Sequence, residues 1–227
     1  MHCAHCCMRA TEKGDTMPMT VVRKALALAR ENSWSITLGG GEPTLHPRFE
    51  EILCAAMVAN RSDIGVYIAT NGSHRERSLL LAKFSACEEL ITVKLSDDQF
   101  HDATMVHPDV RQAFANIEWT SEQRRWGSSH LPMPSGWQPK KFRLEHIINQ
   151  GRAKDNNIGT REGCVCETLT VGPRGQIHGC ACPEAPDFGN VMERPEVPEG
   201  WSDNDCSFQE ENLTLWKRPH HRRRSAG

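Results

Sequence analysis

The sequence predicts an α/β fold built on a parallel sheet. Helical and strand patterns alternate from residue 19 to residue 96, and three apolar strands each follow a helix. Each strand ends in a glycine-, asparagine- or aspartate-bearing turn. Strands that alternate with helices of this length pair in parallel through right-handed crossovers.

The elements follow in order. "MTVVRKALALAREN" (19–32) has helical spacing of Ala, Leu and Val, with Thr20 as the expected cap. "SITL" (35–38) is a short apolar strand that runs into Gly39-Gly40-Gly41. "HPRFEEILCAAMVAN" (46–60) reads as a helix with Pro47 near its first turn. "IGVYIAT" (64–70) is a strand closed by Asn71-Gly72, and "RERSLLLAKFSA" (75–86) is a helix. "LITVKLS" (90–96) is a strand closed by Asp97-Asp98. From about 119 to 139 the pattern dissolves at Pro132, Pro134, Gly136 and Pro139. "KFRLEHII" (141–148) reads as a further strand. "TLTV" (168–171), Gly172-Pro173-Arg174-Gly175 and "QIHGCA" (176–181) read as a β-hairpin, flanked by Cys164 and Cys166 and by Cys180 and Cys182. "KRPHHRRRSAG" at the end reads as a solvated basic tail.

Length and charge narrow the function. A chain of 227 residues suits one domain with a small appendage and buries a core without disulfides. Its 27 Lys+Arg and 29 Asp+Glu leave a formal net charge of -2, which argues against wholesale electrostatic binding to nucleic acid or membrane. No apolar run approaches the roughly 20 residues that span a bilayer. Nor does a charged segment followed by an apolar stretch open the chain, so the expected compartment is the cytoplasm.

Ten cysteines point to metal or redox chemistry in a reducing compartment. Cys3, Cys6 and Cys7 cluster at the front, and Cys164, Cys166, Cys180, Cys182 and Cys206 near the back. Cys54 and Cys87 stand apart inside helical patterns and read as buried structural thiols. Alone, Cys3-x2-Cys6 fits half a zinc site, a dithiol pair or part of an iron–sulfur site. In parallel α/β sheets functional residues gather at the C-terminal strand ends. The turns "GGGEP", "TNG" and "SDDQFH" would therefore share one rim with the front cysteines.

Taken together, "CAHCCMRAT", "ITLGGGEPTLHP", "YIATNGS" and "KLSDDQFHD" resemble the radical S-adenosylmethionine (radical SAM) enzyme family in order and spacing. The resemblance implies a partial (β/α) barrel whose first loop, Cys-x3-Cys-x2-Cys, binds a four-iron, four-sulfur cluster through three thiolates. The open fourth iron then chelates S-adenosylmethionine. Its reductive cleavage gives a 5′-deoxyadenosyl radical that removes hydrogen from a substrate. An electron donor such as flavodoxin or ferredoxin is implied as a partner. Aligned so, Cys6 is the third ligand and Cys3 the second, and the first falls two residues upstream of Met1. The expectation is that the chain begins inside the motif, without its first ligand and first barrel strand, with Cys7 as an alternative ligand. Gly40, Gly41, Glu42 and Pro43 match the element along the methionine moiety. Asn71 and Gly72 match the next strand end, and Asp97 with His101 the one that approaches the ribose or substrate. His101 and Asp102 are acid–base candidates, though such residues more often line the rim. Glu145 and "NQGRA" (149–153) resemble a later strand and loop.

The back module resembles the shortened twitch form of the SPASM extension, in which a hairpin between cysteines holds an auxiliary iron–sulfur cluster. Cys164, Cys180 and Cys206 are the leading ligands there, with Cys166 and Cys182 competing, and a structural zinc knuckle on the same thiols is the alternative. The expected organisation is a barrel over 1–155, a cysteine-rich module over 156–210 and a basic tail over 211–227. The auxiliary module suggests a peptide or protein substrate by analogy. Two other classes stay open: a non-catalytic binding protein that keeps the fold, and a zinc-stabilised interaction module.

Overall fold

The computed structural model describes residues 3–4, 6, 8–61, 65–88, 90–97, 100–125, 132–137, 151–158, 169–179, 181 and 185–193. Helix α1 (Met19–Glu31), strand β1 (Ile36–Leu38), α2 (Phe49–Ala59), β2 (Val66–Thr70), α3 (Arg75–Cys87) and β3 (Ile91–Leu95) alternate as the apolar periodicity predicts. They are followed by α4 (Pro108–Arg125), the short α5 (Gly151–Asp155), and strands β4 (Thr170–Val171), β5 (Gln176–His178) and β6 (Asp187–Asn190).

The first three strands form a parallel sheet in the order β1-β2-β3. Ile36 sits opposite Val66 and Leu38 opposite Ile68, while Val66 faces Ile91 and Thr70 faces Leu95. Side chains alternate across the sheet, so Val66 and Ile68 point into one core with Ile91 and Val93. Phe49, Leu53 and Ala56 of α2, Leu81 of α3, and Val110 and Phe114 of α4 fill that core. Phe49, Ala56, Ile68, Leu81 and Val110 are all 0% exposed. At about 25 cal/mol per Å² of apolar surface removed from water, this packing is the main force holding the helices on the sheet.

A second sheet follows, antiparallel in the order β4-β5-β6. Its hairpin turns at Gly172–Gly175, where the Gly172 N–H donates to Gln176 O and the Gly175 N–H to Gly172 O. Ile177 and Val191 pack on Val21 of α1. Helix α1 is thus apolar on two sides: Met19, Val22 and Leu26 join the main core, while Val21, Ala25 and Leu28 meet the hairpin.

Several expectations need correction. The α1 cap is Pro18, with no side-chain capping bond, and not Thr20, which lies inside the helix. Proline serves there because its fixed φ suits the turn into a helix. Helix α2 starts at Phe49 and not at residue 46, which leaves Pro47 just before its first turn; the segment ahead of it forms a 3-10 turn over Pro43–Leu45. The region over 119–125 is not patternless, because α4 continues through it to Arg125. Cys54 and Cys87 are exposed rather than buried. The buried side of α2 is Phe49, Ile52, Leu53, Ala56 and Ala59, which turns Cys54 outward, and Cys87 ends α3. Strand β6 goes beyond the expected hairpin. The expected strand over 141–148, the four cysteines flanking the hairpin and the tail lie outside the described residues. No described helix is long and apolar enough to cross a membrane.

Gly65 shows how closely β2 and β3 are joined. Its φ is +85°, and a Cβ there would stand 2.2 Å from the Leu90 carbonyl oxygen. That oxygen accepts the Val66 N–H at 2.8 Å, so it has no room to withdraw. Strain and overpacking together should make Gly65→Ala cost roughly 2–4 kcal/mol. The expected result is a melting temperature lower by on the order of 10 °C. A melt within about 2 °C of the parent would contradict it.

Candidate functional site

The rim at the C-terminal ends of β1, β2 and β3 is organised by one carboxylate. Glu42 follows the triple glycine and precedes the 3-10 turn. Its Oε1 accepts from the Thr44 N–H at 3.1 Å, the Thr44 hydroxyl at 2.6 Å and the Thr70 hydroxyl at 2.7 Å. Its Oε2 accepts from the Asn71 N–H at 2.7 Å. Thr44, Thr70 and Asn71 are 0%, 1% and 7% exposed. The residue expected to lie along a cofactor therefore braces the β1 turn to the β2 end. A carboxylate suits this place because four donors surround it and it only accepts.

Next along the rim, Asn71 Oδ1 accepts the Ser73 N–H at 2.9 Å, and the Thr70 hydroxyl accepts the Gly72 N–H at 3.1 Å. Gly72 has φ +74°, and a Cβ there would lie 2.8 Å from Leu95 Cδ1. The turn has to be glycine both for its backbone and for its contact with β3. The Ser96 N–H donates to Thr70 O at 2.7 Å, which carries the β2–β3 ladder up to Asp97. Asp97 accepts from Arg111 of α4 through both oxygens, at 2.6 and 3.2 Å. This bond comes first among the causes that raise the already high Arg111 pKa. Asp102 caps a second 3-10 turn, Ala103–Met105, accepting the Thr104 N–H at 2.9 Å and its hydroxyl at 2.7 Å. Those bonds lower its pKa, the direction that opposes a general acid. His101 lies beside this cap on the same segment.

Arg77 holds the β1 turn from the outside, a role the sequence patterns missed. From α3, its Nη1 donates to the carbonyls of Thr44 at 2.6 Å and His46 at 2.8 Å, and its Nη2 to that of Pro47 at 3.2 Å. Its Nε reaches Glu50 at 2.8 Å, and the guanidinium lies over the Phe49 ring. The guanidinium lowers the Glu50 pKa, chiefly by hydrogen bonding. His46 then ties the turn back to the loop before α1, with Nε2 at 2.9 Å from Met17 O.

The cysteine loop lies against this turn. A Cβ placed on Gly41 would be 3.6 Å from Ala10 Cβ, whereas one on Gly39 or Gly40 would meet nothing within 4 Å. Gly40 has φ +123°, a conformation that side-chain-bearing residues rarely adopt. The result is an open glycine ledge beside half-buried Cys3 and Cys6. The Ala10 N–H donates to Cys6 Sγ at 3.3 Å. Arg152 and Asn156 of the α5 segment reach this loop from across the chain. Beside the ledge a groove of about 500 Å³ runs along β1, from Met8, Gly40 and Pro43 to Leu169, Val171 and Ile177 of the hairpin.

The rim thus brings together Gly40, Gly41, Glu42, Pro43, Asn71, Gly72 and Asp97 with Cys3 and Cys6. Cys7, Cys164, Cys166, Cys180, Cys182 and Cys206 lie outside the described residues. Among the described residues, no three His, Cys, Asp or Glu side chains converge on a metal position. The thiols of Cys3 and Cys6 are soft donors of the type that holds iron–sulfur or zinc. The ledge leaves open space for a small ligand to meet backbone groups. In chemistry and access, these residues fit a thiolate-bound cluster with a ligand at its side.

No curated protein matches the chain at a significant level. The protein family described as the radical SAM superfamily matches residues 1–140, a stretch that includes the cysteine loop, the glycine ledge and all three parallel strand ends. The chain belongs to the radical SAM superfamily.

Proposed function

We propose that the chain is a radical SAM enzyme in which Cys3 and Cys6 hold a four-iron, four-sulfur cluster beside the glycine ledge. The observation that carries this reading is the seating of the cysteine loop, through Ala10, against Gly41 at the strand ends. When bound, the cluster supplies an electron to S-adenosylmethionine, whose carbon–sulfur bond breaks to a 5′-deoxyadenosyl radical. The protein's own residues bind and orient. The backbone of Gly39, Gly40 and Gly41 offers the methionine moiety a close approach, with Pro43 limiting the ledge. Glu42 keeps Asn71 and Gly72 in place, and the Asp97–Arg111 pair faces the ribose or the substrate. A third thiolate completes the site. The N-terminal peptide of the native protein, read by mass spectrometry, distinguishes Cys7 from a cysteine upstream of Met1 as its source.

The whole chain would follow this plan. It is a partial (β/α) barrel over 1–155, followed by a twitch-like module over 156–210. Cys164, Cys166, Cys180, Cys182 and Cys206 would hold an auxiliary cluster there, and the hairpin that packs on α1 supports the position of that module. The substrate would be a peptide or protein, with a flavodoxin- or ferredoxin-like electron donor in the cytoplasm.

Anaerobic reconstitution of the native protein with iron and sulfide tests the proposal. Roughly four irons and four sulfides per chain are expected at the front site, and more if the auxiliary site fills. Reduced protein should release 5′-deoxyadenosine from S-adenosylmethionine. Cys6→Ala should abolish that release and lower the iron content. Zinc without labile sulfide would instead favour a zinc-stabilised module, and S-adenosylmethionine binding without cleavage a non-catalytic binder.

A further inference from the structure

The described residues of the cysteine loop make two backbone hydrogen bonds among themselves. Its internal bonds are long: the Cys6 N–H to Cys3 O at 3.2 Å and the Arg9 N–H to Cys6 O at 3.4 Å. Its carbonyls are met instead from α5. The Arg152 backbone N–H donates to Cys6 O at 3.0 Å. The Arg152 guanidinium donates through Nη1 to Cys3 O at 3.0 Å and through Nη2 to Ala10 O at 2.7 Å. Asn156 Nδ2 donates to Ala4 O at 2.9 Å, and Asp155 pairs with Arg9 at 2.8 Å. The carbonyls of Cys3, Ala4, Cys6 and Ala10 are therefore all held by two residues of one short segment. That segment is itself anchored, with Ala153 0% exposed and Gly151 buried beside it.

We propose that α5 presets the cysteine loop for its cluster, with Arg152 as the positioning residue. This deepens the cluster reading and rests on it. Arginine suits the task because its planar fork spans two carbonyls at once, which a lysine ammonium cannot reproduce in the same geometry. Both ends of the loop, Cys3 and Ala10, are fixed by one rigid group, and the Arg152 backbone fixes the middle. The loop groups that Arg152 meets are neutral carbonyls, so they do not cancel its charge. That charge beside the loop favours uptake of an electron by what the loop binds.

The experiment uses the native protein with Arg152→Met, Arg152→Lys and Asn156→Ala. Amide hydrogen exchange over residues 3–10 of the metal-free protein is read first. Iron and labile sulfide after reconstitution come next, then the midpoint potential of the loaded protein. Arg152→Met should speed exchange at Cys6, Arg9 and Ala10 by about tenfold, on the scale of a lost charged hydrogen bond. It should also cut bound iron several-fold and shift the potential of the remaining cluster to more negative values. Arg152→Lys should keep the potential near that of the parent while loop exchange stays fast. Unchanged exchange and iron content in Arg152→Met would overturn the proposal. If the parent protein takes up neither iron nor sulfide, the cluster reading fails, and exchange alone decides whether α5 orders the loop. Should Arg152→Met fail to fold, Asn156→Ala carries the test, with exchange near Ala4 expected to rise roughly threefold.

Discussion

Glu42→Ala is expected to cost about 3–5 kcal/mol of stability and to weaken S-adenosylmethionine binding with it. The carboxylate accepts four hydrogen bonds, from Thr44 twice, Thr70 and Asn71. Truncation leaves those donors facing a void, and all three residues that carry them are buried. A buried donor without an acceptor loses its hydration with nothing in return. The β1 turn and the β2 end would then move independently, and the glycine ledge with them. Glu42→Gln is informative because it keeps the shape. Its amide nitrogen would confront a donor whichever way it turned, so it should still cost about 1–2 kcal/mol. Urea melts of the three proteins, with equilibrium dialysis of S-adenosylmethionine, measure both effects. If Glu42→Ala melted within about 0.5 kcal/mol of the parent, the brace would carry no weight.

Arg77→Met should come next, at about 2–4 kcal/mol. Its side chain is 16% exposed and holds three backbone carbonyls of a turn that has no ladder of its own. Methionine keeps much of the apolar stem over Phe49 but offers no donor. The loss should appear mainly as faster unfolding and local exchange around Thr44 to Pro47. The variant also has a predictable acid signature. Arg77 depresses the Glu50 pKa, so the pair stabilises the fold above the ordinary carboxylate pKa, and this is lost as pH falls through the depressed value. Glu50 is 52% exposed, so that contribution is small and screened by salt. Arg77→Met should therefore differ from the parent slightly less near pH 3 than near pH 7. A larger deficit in acid would contradict this account of the ion pair.

The alternation of helices and strands was legible because both periodicities are strong where core residues sit. Val66, Ile68, Ile91 and Val93 repeat every second residue, and Phe49, Leu53 and Ala56 recur on one face of a helix. The strand-end turns were legible for the same reason, since they follow directly from where the apolar runs stop. Helix α4 was not, because its buried apolar residues, Val110, Phe114 and Ala115, are few, and two tryptophans, Trp119 and Trp137, meet edge to face outside the main pattern. Thr20 looked like a cap because local chemistry allows it, yet the chain reaches α1 through Pro18. Glu42 is marked by its place after the glycines, but its bracing bonds are not. Its partners Thr70 and Asn71 lie 28 and 29 residues away, a pairing that spacing does not reveal. Arg77 and Arg152 act on backbone carbonyls, which every residue carries, so no partner residue in the sequence points back to them. "NQGRA" resembles a loop, but nothing local says that its arginine reaches Cys3 and Ala10.

The distance along the chain between the cysteine loop and its supports has a consequence in time. Cys3 and Arg152 are 149 residues apart, and Ala4 and Asn156 are 152 apart. At about 5–20 residues per second of synthesis, the thiols leave the ribosome roughly 10–30 s before the groups that shape their loop. For that interval Cys3 and Cys6 are presented on a nascent segment that α5 has not yet gathered, within reach of any oxidant or stray metal ion. Contacts this far apart in sequence form late. If the loop holds the proposed cluster, iron and sulfide would be delivered only after the C-terminal half is made, and slower translation would lengthen the time the front thiols stay vulnerable.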